Sequence, residues 1–144
     1  MDWWRVKAVV NAVNGSTALG LLVAAAGGSR FRKGPRGLVL AIDYGYRFPV
    51  ATAFTVGNVV VTRHATPPWE DRPALLVHEE RHSWQYAVTL GLPMIPLYCA
   101  AVAWSYLRGG DLSTHNWFET RAGLEDGGYP LVSRRQRRRP GRTA

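Results

Sequence analysis

The chain has 144 residues, of which 47% are hydrophobic and 19% charged, with six tryptophans. That is enough for one compact domain burying about 70% of its unfolded surface, and it excludes a wholly disordered chain. The formal charge of +8 is local: Arg134, Arg135, Arg137, Arg138, Arg139 and Arg142 fall in the last eleven residues, and taking those six from +8 leaves a body of +2.

Taken in chain order, Val6 to Ala26 reads as one or two helices, with a break at Asn14-Gly15 and Ser16 or Thr17 as cap of the second piece. The uncharged run Val9 to Ser29 contains Asn11, Asn14, Ser16, Thr17 and internal glycines, which dilute it below a membrane span. Asp2 and the lack of a clean apolar stretch argue against an export signal. The expected location is the cytoplasm. Trp3, Trp4, Arg5 and Lys7 leave room for peripheral contact with the inner face of the membrane.

Arg30 to Arg36 reads as a basic turn and Gly37 to Asp43 as a strand. In A-F-T-V-G-N-V-V-V-T-R, Ala53 to Arg63, the pair Gly57-Asn58 supplies a two-residue turn between β-branched arms, predicting an antiparallel hairpin. After the H-A-T-P-P-W loop, Glu70, Asp71 and Pro73 open a helix that runs to about Leu90. A second apolar helix is expected from about Pro96 to Leu107, and a third, short one after the N-cap Asn116. Pro93 and Pro96 leave too little uninterrupted length in the Thr89 to Leu107 run for a full crossing. Cys99, in P-L-Y-C-A-A-V-A-W, excludes an intrachain disulfide and a four-cysteine zinc site, and reads as a buried thiol. The fold class is α+β: an N-terminal helix, a small antiparallel sheet, a motif helix and two further helices. They form a single domain over 1–132, followed by a solvated arginine-rich tail over 133–144. No aromatic residues interleave with those arginines, so specific nucleic-acid binding is not expected.

The chemistry-bearing stretch is L-L-V-H-E-E-R-H-S-W-Q, Leu75 to Gln85. Residues four apart on a helix share a face, so His78 and His82 can direct ring nitrogens to one tetrahedral zinc ion. Glu79 beside them has the position of the general base in an H-E-x-x-H zinc hydrolase. Its flanks, A-L-L-V and S-W-Q-Y-A-V, indicate a largely buried helix, where a merely solvated charged face would be costly. A third ligand is needed. Glu119 is the leading candidate, with a capping-box role beside Asn116 as its alternative, and His115 is the rival ligand. His115, Arg121 and Tyr129 are the candidate oxyanion donors, and His64 reads as a loop residue.

These residues resemble a known family. H-E-E-R-H-S-W-Q, then G-L-P-M-I-P-L-Y and N-W-F-E-T-R-A, is similar to small zincin-like bacterial metallopeptidases with HExxHxxQ and a downstream NxFExxA. The similarity covers about Ala53 to Tyr129, and N-G-S-T-A-L-G-L-L suggests an actinobacterial subgroup. The resemblance implies a minimal gluzincin: a zincin-like domain with His78, His82 and Glu119 on Zn2+, Glu79 as acid/base, a peptide or protein substrate, and an edge strand near Thr55 to Thr62 lining the cleft. Glu80 and Arg81 depart from the usually uncharged centre of the motif and are expected to point away from the metal and pair elsewhere. The alternative is a membrane-peripheral or partner-binding protein whose zinc is structural or vestigial.

Overall fold

The structure is a computed structural model that describes residues 1–129. The arginine-rich end expected over 133–144 lies outside the described residues. The described protein is α+β, with five α-helices and a four-stranded sheet. It comprises two compact units, Met1–Met94 and Ile95–Ala144.

The first unit opens with two helices, α1 (Trp3–Val13) and α2 (Ser16–Ala26). The break falls at Asn14-Gly15, but neither Ser16 nor Thr17 caps α2. Gly15, at φ 81°, occupies the N-cap position, which puts both hydroxyl residues inside the helix. The Asn14 side chain takes over, its Oδ1 accepting from the Ser16 backbone N–H at 3.0 Å and the Ser16 hydroxyl at 2.7 Å.

The expected basic turn also differs. Arg30–Lys33 forms a strand, β1, antiparallel to β2 (Val39–Ile42), and the turn proper is a 3-10 segment at Pro35–Gly37. All four β1 residues are exposed, so no alternation of apolar and polar residues marks the strand in the sequence. Charge on such an edge opposes further pairing.

The hairpin forms as expected, with β3 (Ala53–Val56) antiparallel to β4 (Val59–Thr62). Gly57 turns it at φ 61°, and a Cβ there would lie 2.4 Å from the Thr17 nitrogen, so both the turn and the close approach of α2 require glycine. The strand order is β1-β2-β4-β3, and β2 runs parallel to β4, so the sheet is mixed rather than antiparallel. After β2 the chain crosses to lay β3 on the outer edge, and the hairpin then returns β4 beside β2 in the same direction.

Each face of the sheet carries its own core. Leu38, Leu40, Ile42, Ala53 and Val60 cluster with Trp69 and Leu75, the latter from α3 (Pro73–Val88). Ala41, Val59, Val61 and Tyr44 cluster on the other face with Ala24 of α2. Full burial of a side chain such as Leu75 contributes about 1.5–3 kcal/mol. α2 comes close to the sheet because Gly20 lacks a side chain: a Cβ there would stand 2.4 Å from the Val56 carbonyl oxygen. α1 is tied to α3 by buried polar groups. Asn11 Nδ2 donates to the Ser83 carbonyl at 2.8 Å and to Asn58 Oδ1 at 3.0 Å, and Asn58 Nδ2 donates to the Ala8 carbonyl at 2.9 Å.

α4 (Met94–Gly109) leads into the second unit, which holds α5 (Trp117–Ala122). Asn116 caps α5 as expected, its Oδ1 accepting from the Phe118 N–H at 3.0 Å. Cys99 is exposed, contrary to the buried role read from its neighbours. α4 is apolar on every side and leaves Leu97, Trp104 and Leu107 open as well, so its sequence does not reveal which face is covered.

Candidate metal centre

The motif helix does what its spacing predicts. α3 brings His78 Nε2 and His82 Nε2 to 3.1 Å, with the rings 4.7 Å apart at 83° and both residues buried. Two nitrogens on one tetrahedral zinc, each at about 2.0–2.1 Å, stand about 3.3 Å apart. His82 Nδ1 lies 2.8 Å from Gln85 Oε1. Assigning the ring proton to Nδ1, donated to that amide oxygen, leaves Nε2 with its lone pair for a metal.

Glu79 is buried and is held by the sheet. Thr55 Oγ1 donates to Glu79 Oε2 at 2.7 Å. The pleat explains why Thr55 is available: Ala53 packs in the cluster on the α3 face, and Thr55, two residues on, points the same way. β3 is the edge strand of the sheet, and the threonine comes from its middle.

The two charged central residues of the motif take different places. Arg81 is exposed, whereas Glu80 is buried. Lys7 Nζ donates to Glu80 Oε1 at 3.3 Å, and Arg36 Nε reaches both carboxylate oxygens at 2.9 and 2.8 Å, with Arg36 Nη2 also on Oε2. Burial works to raise the Glu80 pKa, but the hydrogen bonds and charges of Arg36 and Lys7 together outweigh it and hold the group below the usual carboxylate range. Burial of Lys7 prevails over the attraction of Glu80 and lowers the amine below the ordinary lysine value. The Arg36 guanidinium is raised by its hydrogen bond to Glu80. Arg36 makes this contact from a left-handed backbone, φ 47°.

Glu119, on the first turn of α5, is 2% exposed, and its Oε1 accepts from the Tyr98 hydroxyl of α4. Among the described residues, His78, His82 and Glu119 are the group of side chains that could hold a metal ion, each offering one ligand atom. His115 is not in that group: it is exposed, and its backbone N–H donates to Ser105 Oγ at 2.8 Å. Arg121 is exposed, with its guanidinium 5.1 Å from the Trp117 ring. Tyr129 is half-buried and His64 is exposed in the loop after β4.

Four partners of the motif were given no contact to it by the sequence reading. Gln85 carried a signal, since three residues after His82 is one helical turn. Thr55 had only the period of a strand to mark its face. Lys7 and Arg36, like Tyr98 beside Glu119, are known as partners only through tertiary contacts. Nothing matches the chain among protein-family models, curated proteins or solved structures.

Proposed function

We propose that the protein is a zinc-dependent hydrolase of the minimal gluzincin type, acting on the amide bonds of a peptide or protein. The observation that carries the reading is the buried His78, His82 and Glu119 group with Glu79 in the same helix as both histidines. Two imidazoles and one carboxylate are a donor set suited to catalytic zinc, which keeps a position open for water. The exposure of His115 favours this over a closed, structural four-ligand site.

His78 and His82 would hold the ion through Nε2, and Glu119 through its carboxylate. Bound there, zinc would supply Lewis acidity and lower the pKa of a water molecule toward neutrality. The remaining work belongs to the chain. Glu79 takes a proton from the attacking water on its carboxylate and returns it to the leaving amine. Thr55 fixes the rotamer of that carboxylate through its 2.7 Å hydrogen bond. Gln85 sets the tautomer of His82, and Tyr98 orients Glu119. The β3 edge offers backbone groups to an extended peptide by strand addition.

Metal analysis of the full chain and of His78→Ala and Glu79→Gln, paired with hydrolysis of a mixed fluorogenic peptide library, tests the proposal. Stoichiometric zinc in the parent and in Glu79→Gln, lost in His78→Ala, with turnover in the parent alone, is the expected pattern. Absence of bound metal in the parent, or undiminished turnover by Glu79→Gln, overturns it.

A further inference from the structure

Among the described residues no single helix is long and apolar enough to cross a membrane, although α1 and α2 meet the length and composition together across a 73° bend. The side of α2 turned away from the sheet is nevertheless unusual. Its buried residues are the small Ser16, Gly20 and Ala24, while Ala18, Leu21, Leu22, Ala25 and Ala26 recur at helical spacing on the exposed side. Leu22 is 68% exposed. No charged residue occurs between Lys7 and Arg30. A helix of a water-soluble domain ordinarily turns such a stripe inward and sets charge against solvent.

The stripe continues into its neighbours within the same unit. Gly45 N–H donates to the Gly27 carbonyl at 2.8 Å, so the segment after β2 leaves from the C-terminal end of α2. Tyr44 belongs to the core under α2, and the Tyr46 ring packs edge-on against it at 5.6 Å. Beyond them Phe48 and Val50 stand 79% and 87% exposed. Phe31 of β1 pairs in register with Ala41, which lies in the α2-side cluster, so its exposed ring is on that face too. Lys33, two residues on, shares the face.

Charge identifies the partner. From Trp3 to Trp69 there is one acid, Asp43, and Arg30 bonds it; the same span carries eight lysines and arginines. Lys33 shares the sheet face with Phe31, and Arg47 lies between Tyr46 and Phe48. We infer that the exposed side of α2, Phe31 and the Tyr46–Val50 segment form a shallow insertion surface for an anionic phospholipid bilayer, with Lys33 and Arg47 at headgroup level. Aliphatic and aromatic side chains at a basic rim are what an interfacial anchor requires. A second copy is a poorer occupant, because a two-fold interface on this patch sets like charges against each other. The inference is independent of the metal centre.

The full chain, tail included, is sedimented with sucrose-loaded vesicles of phosphatidylcholine alone and of phosphatidylcholine with about one-third phosphatidylglycerol. Binding to the anionic vesicles only is expected, weakened by high salt. The double variant Leu22→Glu/Phe48→Ser should lose about tenfold or more in apparent affinity, since both side chains are exposed and neither supports the core. Lys33→Glu/Arg47→Glu should lose the salt-sensitive part. Circular dichroism establishes that both variants fold. No sedimentation of the parent overturns the inference, as does equal binding by both variants, which assigns the attraction to the arginine-rich tail. Concentration-dependent dimers abolished by the first variant, without vesicle binding, overturn it in favour of a second copy.

Discussion

Thr55 Oγ1 donates to Glu79 Oε2 at 2.7 Å, so the edge strand of the sheet fixes the carboxylate that follows the first motif histidine. A carboxylate that must take and return a proton within one turnover benefits from a single rotamer. Thr55→Val keeps the shape and removes the donor. Loss of one such bond, about 1–1.5 kcal/mol, lowers kcat about tenfold. Metal content stays unchanged and Thr55→Ser recovers the rate. Peptide hydrolysis alongside metal analysis checks this; an undiminished kcat in Thr55→Val denies Thr55 any part in positioning Glu79.

In the proposed zinc site Gln85 would act on the metal rather than on the proton. Its Oε1 lies 2.8 Å from His82 Nδ1, and removing a hydrogen-bond partner of a ligating imidazole typically costs about 10–100-fold in affinity. Gln85→Ala should therefore lose zinc to a competing chelator at a concentration at which the parent retains it. Titration against a fluorescent chelator reads the difference directly. Equal affinity for the two proteins removes the tautomer-setting role.

The motif helix, the hairpin with its Gly57-Asn58 turn and the Asn116 cap were legible because each rests on local periodicity or turn chemistry. β1 was not, since an exposed edge strand of Arg30, Phe31, Arg32 and Lys33 shows no alternation. The mixed sheet was not either: hairpin signals pair neighbours in sequence, and β2 with β4 is a pairing across β3. Cys99 misled for a related reason, as an all-apolar helix hides which side is covered. Asn11 and Asn14, which diluted the N-terminal run in the sequence, prove to be its structural anchors, Asn11 to Ser83 and Asn58 and Asn14 to Ser16. In the site, the juxtaposition of His78 and His82 followed from spacing alone. Its supports at Thr55, Lys7, Arg36 and Tyr98 lie far away in sequence, and no local pattern points to them.

Glu80 ties the motif helix to α1 and to the Pro35–Gly37 turn through Lys7 and Arg36. Removing one member of a buried pair leaves the other uncompensated, at about 3–5 kcal/mol when neither can relax. Lys7 is fully buried and its amine is already lowered by burial, so it can shed its proton, and Arg36 is half-exposed and solvates readily. Glu80→Gln is therefore expected to cost about 3 kcal/mol, the lower end of that range. Lys7→Met/Glu80→Met should recover much of the loss, because two apolar side chains replace two desolvated charges. Chemical denaturation of the parent, single and double variants checks the cycle. A double variant as unstable as the sum of its singles means that the charges are not coupled.

Asp111 gives the structure a dependence on acid that is separate from the motif helix. Its Oδ1 accepts from the backbone N–H groups of Thr114 at 2.7 Å and Ser113 at 3.0 Å, closing the turn that leads to Asn116 and α5. Burial raises the carboxyl pKa, yet those backbone hydrogen bonds, with smaller help from the Thr114 side chain and His115, outweigh it and leave the group below its ordinary value. The folded state thus binds the proton more weakly than the unfolded chain, whose aspartate titrates near about 3.9. The stabilisation is fully present above that value and is lost as pH falls through the lower folded value. Asp111→Asn keeps an acceptor oxygen without the charge and should be about 1 kcal/mol less stable at neutral pH. The gap between parent and variant should close on acidification to below about pH 3. Denaturant midpoints measured across that range decide the matter: a gap that stays constant with pH shows that the Asp111 charge is not what holds the turn.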